Sequence, residues 1–409
     1  MNVPGKILML LNAPYPADIR VKKEATALID HGFEVFLICL RKKKQARTEV
    51  VDGIRVTRID AGKNNYVLAF WDIVLSVWFV HPKFLSAAKR LIAEKSISFV
   101  HIHDLPLSGT ALALKKSFPL KVVIDLHENY PEALKTWFKW KKNPIARLKN
   151  RMFLNPERWM AHERRSCLEA DHVIAVVEEM KSRLIENYSI DPEKVTVVTN
   201  TEDKTFLAQP LNSSVYEQIP KGFTITYAGG IGPHRGVDTA IRGMALLVHL
   251  PLQLAIVGFG SPSVMRSLKN LVEDLKLHNV HFLGHQPFSK FYSYMHFSDV
   301  NVIPHQSNGH TDNTVPHKLF QGMMAGKPLL VSSCAPLKRY VDAYRCGIVF
   351  KAGDAKDFAK QVELLYHDPA GQLELGKNGL KASVEGELNW DITQKELIKL
   401  YDQLDKSYG

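Results

Sequence analysis

The sequence is short of cysteine, of long hydrophobic runs and of the common nucleotide-binding signatures. Four cysteines are spread over 409 residues, Cys39, Cys167, Cys334 and Cys346, and no two share a metal-ligand or redox spacing. A reducing interior is the simplest setting. The longest apolar run, "YVLAFWDIVLSVWFV" from Tyr66 to Val80, is interrupted by Asp72. It is shorter than the roughly 20 residues that cross a bilayer, which favours a buried or interfacial helix. The opening "ILMLL" runs straight into "NAPYP" and is too short for a signal peptide. No Gly-Lys-Ser/Thr closes a strand, and "LNAPYPADIR" at the end of the first strand holds no glycine. Neither a P-loop triphosphatase nor a dinucleotide-binding dehydrogenase is supported. No carboxylate pair stands out as nucleophile and acid for glycoside hydrolysis.

What is present is globular: 45% apolar and 23% charged residues, at a length that suggests two or three domains. The net charge of +11 suits nucleic acid, anionic lipid or phosphorylated substrates, but no nucleic-acid recognition motif accompanies it. Between Pro131 and Ser166 ten bases face three acids, with Trp137, Phe138, Trp140, Phe153 and Trp159 interleaved. Such a segment suits an anionic membrane surface, or a solvated helical face whose aromatics pack inward.

Short β-branched runs alternate with helical patterns. "KILMLLNAP", "FEVFLICL", "IRVTRI", "SFVHIHD", "KVVIDLH", "HVIAVV" and "KVTVVTN" read as strands of one half. "FTITYAGG", "LQLAIVG", "VHFLGH", "DVNVIP" and "PLLVSS" read as strands of a second. Near-continuous apolar strands followed by helices indicate α/β domains with parallel sheets covered on both faces. The expected division is a Rossmann-like domain over 1–208, a linker over 209–221, a second Rossmann-like domain over 222–387, and a terminal helix over 388–409 that packs back on the first domain. Two doubly wound domains in tandem make a cleft, and ligands bind beyond the carboxyl ends of their strands.

In the second half, "YAGGIGPHRG" and "IVGFGSP" are strand-end glycine turns carrying Gly229, Gly230, Gly258 and Gly260, with Arg235 beside the first. "TDNTVPHKLFQGMMAGKP" enters a helix through Pro316 with His317 and Lys318 in its first turn. A helix start carries partial positive charge and normally attracts acids. Bases there, beside two glycine turns, point to a phosphorylated ligand.

Taken in order, the motifs resemble those of family 4 glycosyltransferases, retaining enzymes of the GT-B fold. "PYPADIRVKKEATALIDHGFEVFLI", "FVHIHDLP", "VVIDLHENYPE", "VVTNTEDKTF", "YAGGIGPHRGVDTAI", "HFLGHQP" and "VPHKLFQGMMAGKPLLVSS" carry the likeness nearly end to end. The resemblance implies a UDP- or GDP-sugar donor and no metal or other cofactor; no Asp-x-Asp motif appears. It implies that Lys318 and Arg235 grip the donor diphosphate, with Gly229, Gly230 and Gly258 lining it. Asn313, Thr314 and Val315 would present backbone N–H groups, Leu283 and His285 would hold the base, and Gln321 would reach the ribose. His127 would lean over the reacting sugar. Arg20, His103 and Asp104 are candidates for the acceptor, although a structural strand-end hydrogen bond explains the last two equally well.

This chain departs from the family pattern at three places. The two glutamates separated by seven residues are Asn313 and Gln321 here, and the first glycine turn has Gly230 where an arginine is usual. Neighbouring Asp312 is a candidate to supply a carboxylate instead. The implied activity is transfer of a hexose to a glycan or polyprenyl-linked acceptor in cell-surface polysaccharide synthesis, such as lipopolysaccharide or capsule. It would be cytoplasmic, at the inner face of the membrane, with residues 131–166 as the lipid contact. The alternatives are a non-catalytic nucleotide-sugar-binding subunit and a nucleotide-sugar epimerase of the same fold.

Overall fold

A computed structural model describes residues 5–60, 62, 65–139 and 153–406. The chain forms two compact units, Met1–Thr199 with Gln394–Gly409, and Asn200–Thr393. The first therefore ends nine residues before the expected 208. The stretch read as a linker, 209–221, is part of the second unit. Val215 and Ile219 are buried in it, and the Tyr216 hydroxyl bonds Thr226 and the Tyr294 carbonyl oxygen.

The first unit holds β1 (Lys6–Pro14), β2 (Glu34–Leu40), β3 (Thr48–Val51), β4 (Ile54–Ile59), β5 (Phe99–His103), β6 (Lys121–Leu126), β7 (His172–Ala175) and β8 (Val195–Val197). They lie in the order β3-β4-β2-β1-β5-β6-β7-β8. All neighbours are parallel except β3 and β4, which are antiparallel. β3 is absent from the sequence reading. Its signal is Asp52–Gly53, both at positive φ, 53° and 79°, the dipeptide that a tight hairpin turn demands.

The second unit holds β9 (Phe223–Ala228), β10 (Leu252–Val257), β11 (Val280–Gly284), β12 (Val300–Ile303), β13 (Leu329–Ser332) and β14 (Gly347–Phe350). Their order is β11-β10-β9-β12-β13-β14, parallel throughout. Ile225, Leu254, Ile256, Val302, Phe350 and Phe358 fill one core. The central strands of both sheets are buried on two faces, as their unbroken apolar runs require.

The helix read from Tyr66 to Val80 runs Asn65–Trp78, with Phe70 and Trp78 exposed. No helix among the described residues is long and apolar enough to cross a membrane. Of the basic-aromatic stretch, Trp140, Lys141, Lys142, Arg147, Lys149 and Arg151 lie outside the described residues. The last helix, Trp390–Lys406, brings Tyr401 to the first sheet, where its ring meets Phe33 and Phe99 edge-on, each with centroids 5.6 Å away.

Candidate active site

A doubly wound sheet leaves a crevice where its strand order reverses, beyond the carboxyl ends of the two central strands. In the second unit those strands are β9 and β12. β9 runs into Gly229 and Gly230, and β12 into Pro304 and His305. The glycine turns pack main chain on main chain. Gly258 has φ +137°, and a Cβ there would stand 1.9 Å from the Gly229 carbonyl oxygen. Gly230 instead faces open space, with nothing within 4 Å of a Cβ.

Lys318 enters this crevice from the helix His317–Met324, whose N-cap is Pro316 and not, as the sequence suggested, its first helical residue. Its Nζ lies 3.7 Å from the centroid of the Tyr227 ring and has no hydrogen-bond partner among the described residues. Burial, and then the charge of Arg235, hold its pKa well below the ordinary lysine range. Arg235 Nη1 donates to His305 Nε2 at 3.1 Å, so that imidazole is neutral at this nitrogen. Burial and the adjacent Arg235 push His305 well down, and His234 to about 3. Tyr227, which the sequence reading passed over, donates its hydroxyl to the Gly230 carbonyl oxygen at 2.5 Å. It braces the turn while its ring faces the ammonium. Among the described residues neither Lys318 nor Arg235 is paired with a carboxylate. A cradle of this composition receives an anion.

The remaining donor-site candidates divide. His285 lies with its ring centroid 5.2 Å from that of Phe259, a largely exposed aromatic that the sequence reading missed. The Leu283 carbonyl oxygen accepts from Gln286 Nε2 at 2.8 Å. Val315 is buried, and Thr314 is extended after the turn Thr311–Asn313. Asn313 donates Nδ2 to the Gly309 carbonyl oxygen at 2.8 Å. Asp312 does not supply a spare carboxylate: one oxygen accepts from the Ala335 N–H at 3.2 Å, the other from the Ser307 hydroxyl at 2.7 Å. The carboxylate appears elsewhere. Gln321 Nε2 donates to Glu202 Oε2 at 2.6 Å, and His317 Nδ1 stands 3.6 Å from the same oxygen. Glu202 sits in "NTED", 119 residues away in sequence, so no local pattern announced it.

The first unit gathers its candidates at the corresponding reversal, between β1 and β5. Asp18 caps the helix Ile19–Asp30 and pairs with Arg20 at 2.7 Å. Arg20 also reaches Asp104 at 3.6 Å, and Asp104 Oδ1 accepts the His127 N–H at 3.3 Å. His103 and His127 are both buried and meet Asp125, a residue the sequence reading did not single out. His127 Nε2 lies 2.5 Å and His103 Nδ1 3.1 Å from Asp125 Oδ2. Burial alone would raise Asp125, but His127 and the imidazole hydrogen bonds hold it well below the usual carboxylate range. Burial and then Asp125 push Glu24 well above the usual carboxylate range.

Known proteins place both units. The model described as Glycosyltransferase Family 4 matches residues 19–204, and that described as Glycosyl transferases group 1 matches residues 211–382. The chain belongs to glycosyltransferase family 4. An uncharacterized glycosyltransferase of Methanocaldococcus jannaschii is 22% identical, over 77% of this chain and 78% of the other. The D-inositol 3-phosphate glycosyltransferase of Gordonia bronchialis is 25% identical over 59% of this chain, and the match spans only 54% of that protein. Among solved structures, sucrose-phosphate synthase from Thermosynechococcus elongatus superposes with a TM-score of 0.80 at 19% identity, covering 98% and 100% of the two chains. Anabaena HepE in complex with UDP-glucose gives 0.72 at 13% identity, covering 97% and 100%. The fold of this glycosyltransferase is accordingly GT-B, built from two Rossmann-like units.

Proposed function

We propose that this glycosyltransferase takes a hexose from a nucleoside-diphosphate sugar and passes it, with retention and without metal, to a glycan or lipid-linked acceptor in cell-surface polysaccharide synthesis. The observation that carries the donor assignment is the buried Lys318 amine beside Arg235, at a helix start, with no carboxylate partner among the described residues. A diphosphate supplies the charge that such a cradle lacks. HepE and the trehalose-6-phosphate protein of E. coli, similar in fold, were solved with UDP, UDP-glucose or UDP-2-fluoro glucose.

The chemistry follows from where charge develops. As the bond from the sugar's anomeric carbon to the phosphate oxygen breaks, negative charge collects on the diphosphate and the sugar becomes cation-like. Lys318, Arg235 and the helix start stabilise the leaving group with dipoles already in place, which needs no metal. The acceptor oxygen forms the new bond on the same face, and its proton passes to the departing phosphate. His127 orients the sugar and stabilises its charge. Gln321, charge-assisted by Glu202, holds the ribose hydroxyls. Phe259 and His285 offer ring faces to the base. Arg20, His103 and Asp104 serve the acceptor side, His103 through Asp125.

For the membrane, the exposed Phe70 and Trp78 support an anionic lipid contact together with residues 131–166. Arg158 lies against this helix end, 5.5 Å from the Phe79 ring.

Calorimetric titration with UDP, GDP and ADP, followed by assay of the matching sugars, tests the donor reading. Lys318→Ala and Arg235→Ala should each cost binding at least tenfold and turnover several hundredfold, in line with the loss of one preorganised charge, about 2.7–4 kcal/mol. Undiminished binding in both variants ends the reading. Binding without release of nucleoside diphosphate marks a binding subunit instead.

A further inference from the structure

Strand geometry puts four titratable groups of the first unit on one face of its sheet. Residues two apart on a strand share a face, which pairs His101 with His103 on β5, and Asp125 with His127 at the end of β6. The parallel register sets His103 directly beside Asp125. The helix Ile19–Asp30 covers this face with Glu24, and the terminal helix closes it with Tyr401, whose hydroxyl meets His101 Nδ1 at 2.8 Å. All of these groups are buried, Asp125 to 1% exposure.

We propose that Asp125 is a positioning residue: its Oδ2 accepts hydrogen bonds from the Nε2–H of His127 and the Nδ1–H of His103, and so makes Nδ1 the working nitrogen of His127. This rests on the reading that His127 serves the transfer. An ionised carboxylate only accepts, so a ring nitrogen facing it carries the proton. Once Nε2 is held that way, Nδ1 is the ring nitrogen left to face a substrate. One carboxylate thus sets two rings, and the two face-sharing contacts lock both side chains against rotation. His101 belongs to a separate arm. Its Nδ1 is occupied by Tyr401, and its Nε2 stands 3.7 Å from Asp125 and 3.4 Å from Glu24.

The same residues contain a donor set for a cation, since Glu24, His103, Asp125 and His127 each offer one atom within 4.8 Å of the others. The distances favour a proton over a metal. Ligands held about 2.0–2.2 Å from one tetrahedral ion stand about 3.4 Å apart. The 2.5 Å between His127 Nε2 and Asp125 Oδ2 is a direct hydrogen bond with no room for an ion between.

Full-length protein labelled with ¹⁵N in its histidine rings gives the decisive readout. The resonances missing from His127→Ala identify that ring. In the wild type it should be protonated at Nε2, and in Asp125→Asn it should shift toward the other tautomer or a mixture. With UDP-glucose, GDP-mannose or ADP-glucose, whichever the protein hydrolyses, Asp125→Asn should lower kcat about 10- to 100-fold, with KM within about twofold. The same change in a His127→Ala background should add nothing, because the two act as one unit. Asp125→Glu, which keeps the acceptor, should recover part of the loss. The proposal is overturned by a wild-type His127 protonated at Nδ1, by an unchanged ring in Asp125→Asn, by additive losses, or by one equivalent of zinc, manganese or iron in the purified protein. Should His127→Ala turn over normally, the reading of His127 falls, while the ring spectra still decide the role of Asp125.

Discussion

Lys318 Nζ is buried against a tyrosine ring with no acceptor among the described residues, so burial drives the amine toward its uncharged form at a cost to the free protein. A buried charge left unpaired typically costs a few kcal/mol. Replacing it with methionine, of similar length and no charge, should therefore raise the melting temperature of the free protein by several degrees while abolishing the stabilisation given by UDP. The sign with pH follows from the depressed pKa. Between that value and the ordinary lysine range the unfolded chain binds the extra proton, so the free protein gains stability as pH rises. The advantage of Lys318→Met should shrink from pH 7 to pH 10. A bound diphosphate reverses the shift and returns the proton. UDP binding should thus take up protons, visible as a buffer-dependent enthalpy, and affinity should fall as pH rises above 7. Absence of proton uptake would place the diphosphate away from this ammonium. The sequence showed a base at a helix start; that its tip rests on Tyr227 depended on a residue of β9, with three further strands lying between the two in the chain.

At the level of elements, the glycine turns separate structural from ligand-facing positions. Gly258→Ala puts a methyl into the Gly229 carbonyl at a φ unsuited to any side chain, and should destabilise by about 2 kcal/mol or more, read by denaturant unfolding. Gly230→Ala should stay within about 0.5 kcal/mol of the wild type. Gly230→Arg, filling open space beside the anion cradle, should tighten UDP binding severalfold. Most strands were legible because doubly buried strands are unbroken apolar runs, and β-branched residues favour them. β3 escaped notice because its residues are mostly exposed and its polar face hides the pattern. β14, "GIVF", is short and follows a helix directly. The helix starting at His317 was legible from Pro316, although proline at the cap or one residue later reads alike from sequence.

The molecule as a whole restores what single positions lack. Gln321 stands where a glutamate was expected, and Glu202 reaches it from the first residues of the second unit. Glu202→Gln should weaken UDP binding about tenfold, one charge-assisted hydrogen bond being worth about 1.5–3 kcal/mol against a neutral one of about 1. Glu202→Gln combined with Gln321→Glu should return affinity to within threefold of the wild type. A double variant no better than the single one would assign this pair to packing. Vesicle sedimentation with anionic lipid tests the remaining surface, where Trp78→Ala should release most of the bound protein. The sequence by itself determined the two parallel-sheet units, the glycine turns and the cationic helix start, since each follows from local periodicity or from the backbone preferences of glycine and proline. Only the tertiary structure decided which charges are paired. The partners Asp125 and Glu202, and the ring of Tyr227, are brought in by sheet register and chain crossing, and neither leaves a trace at short sequence range.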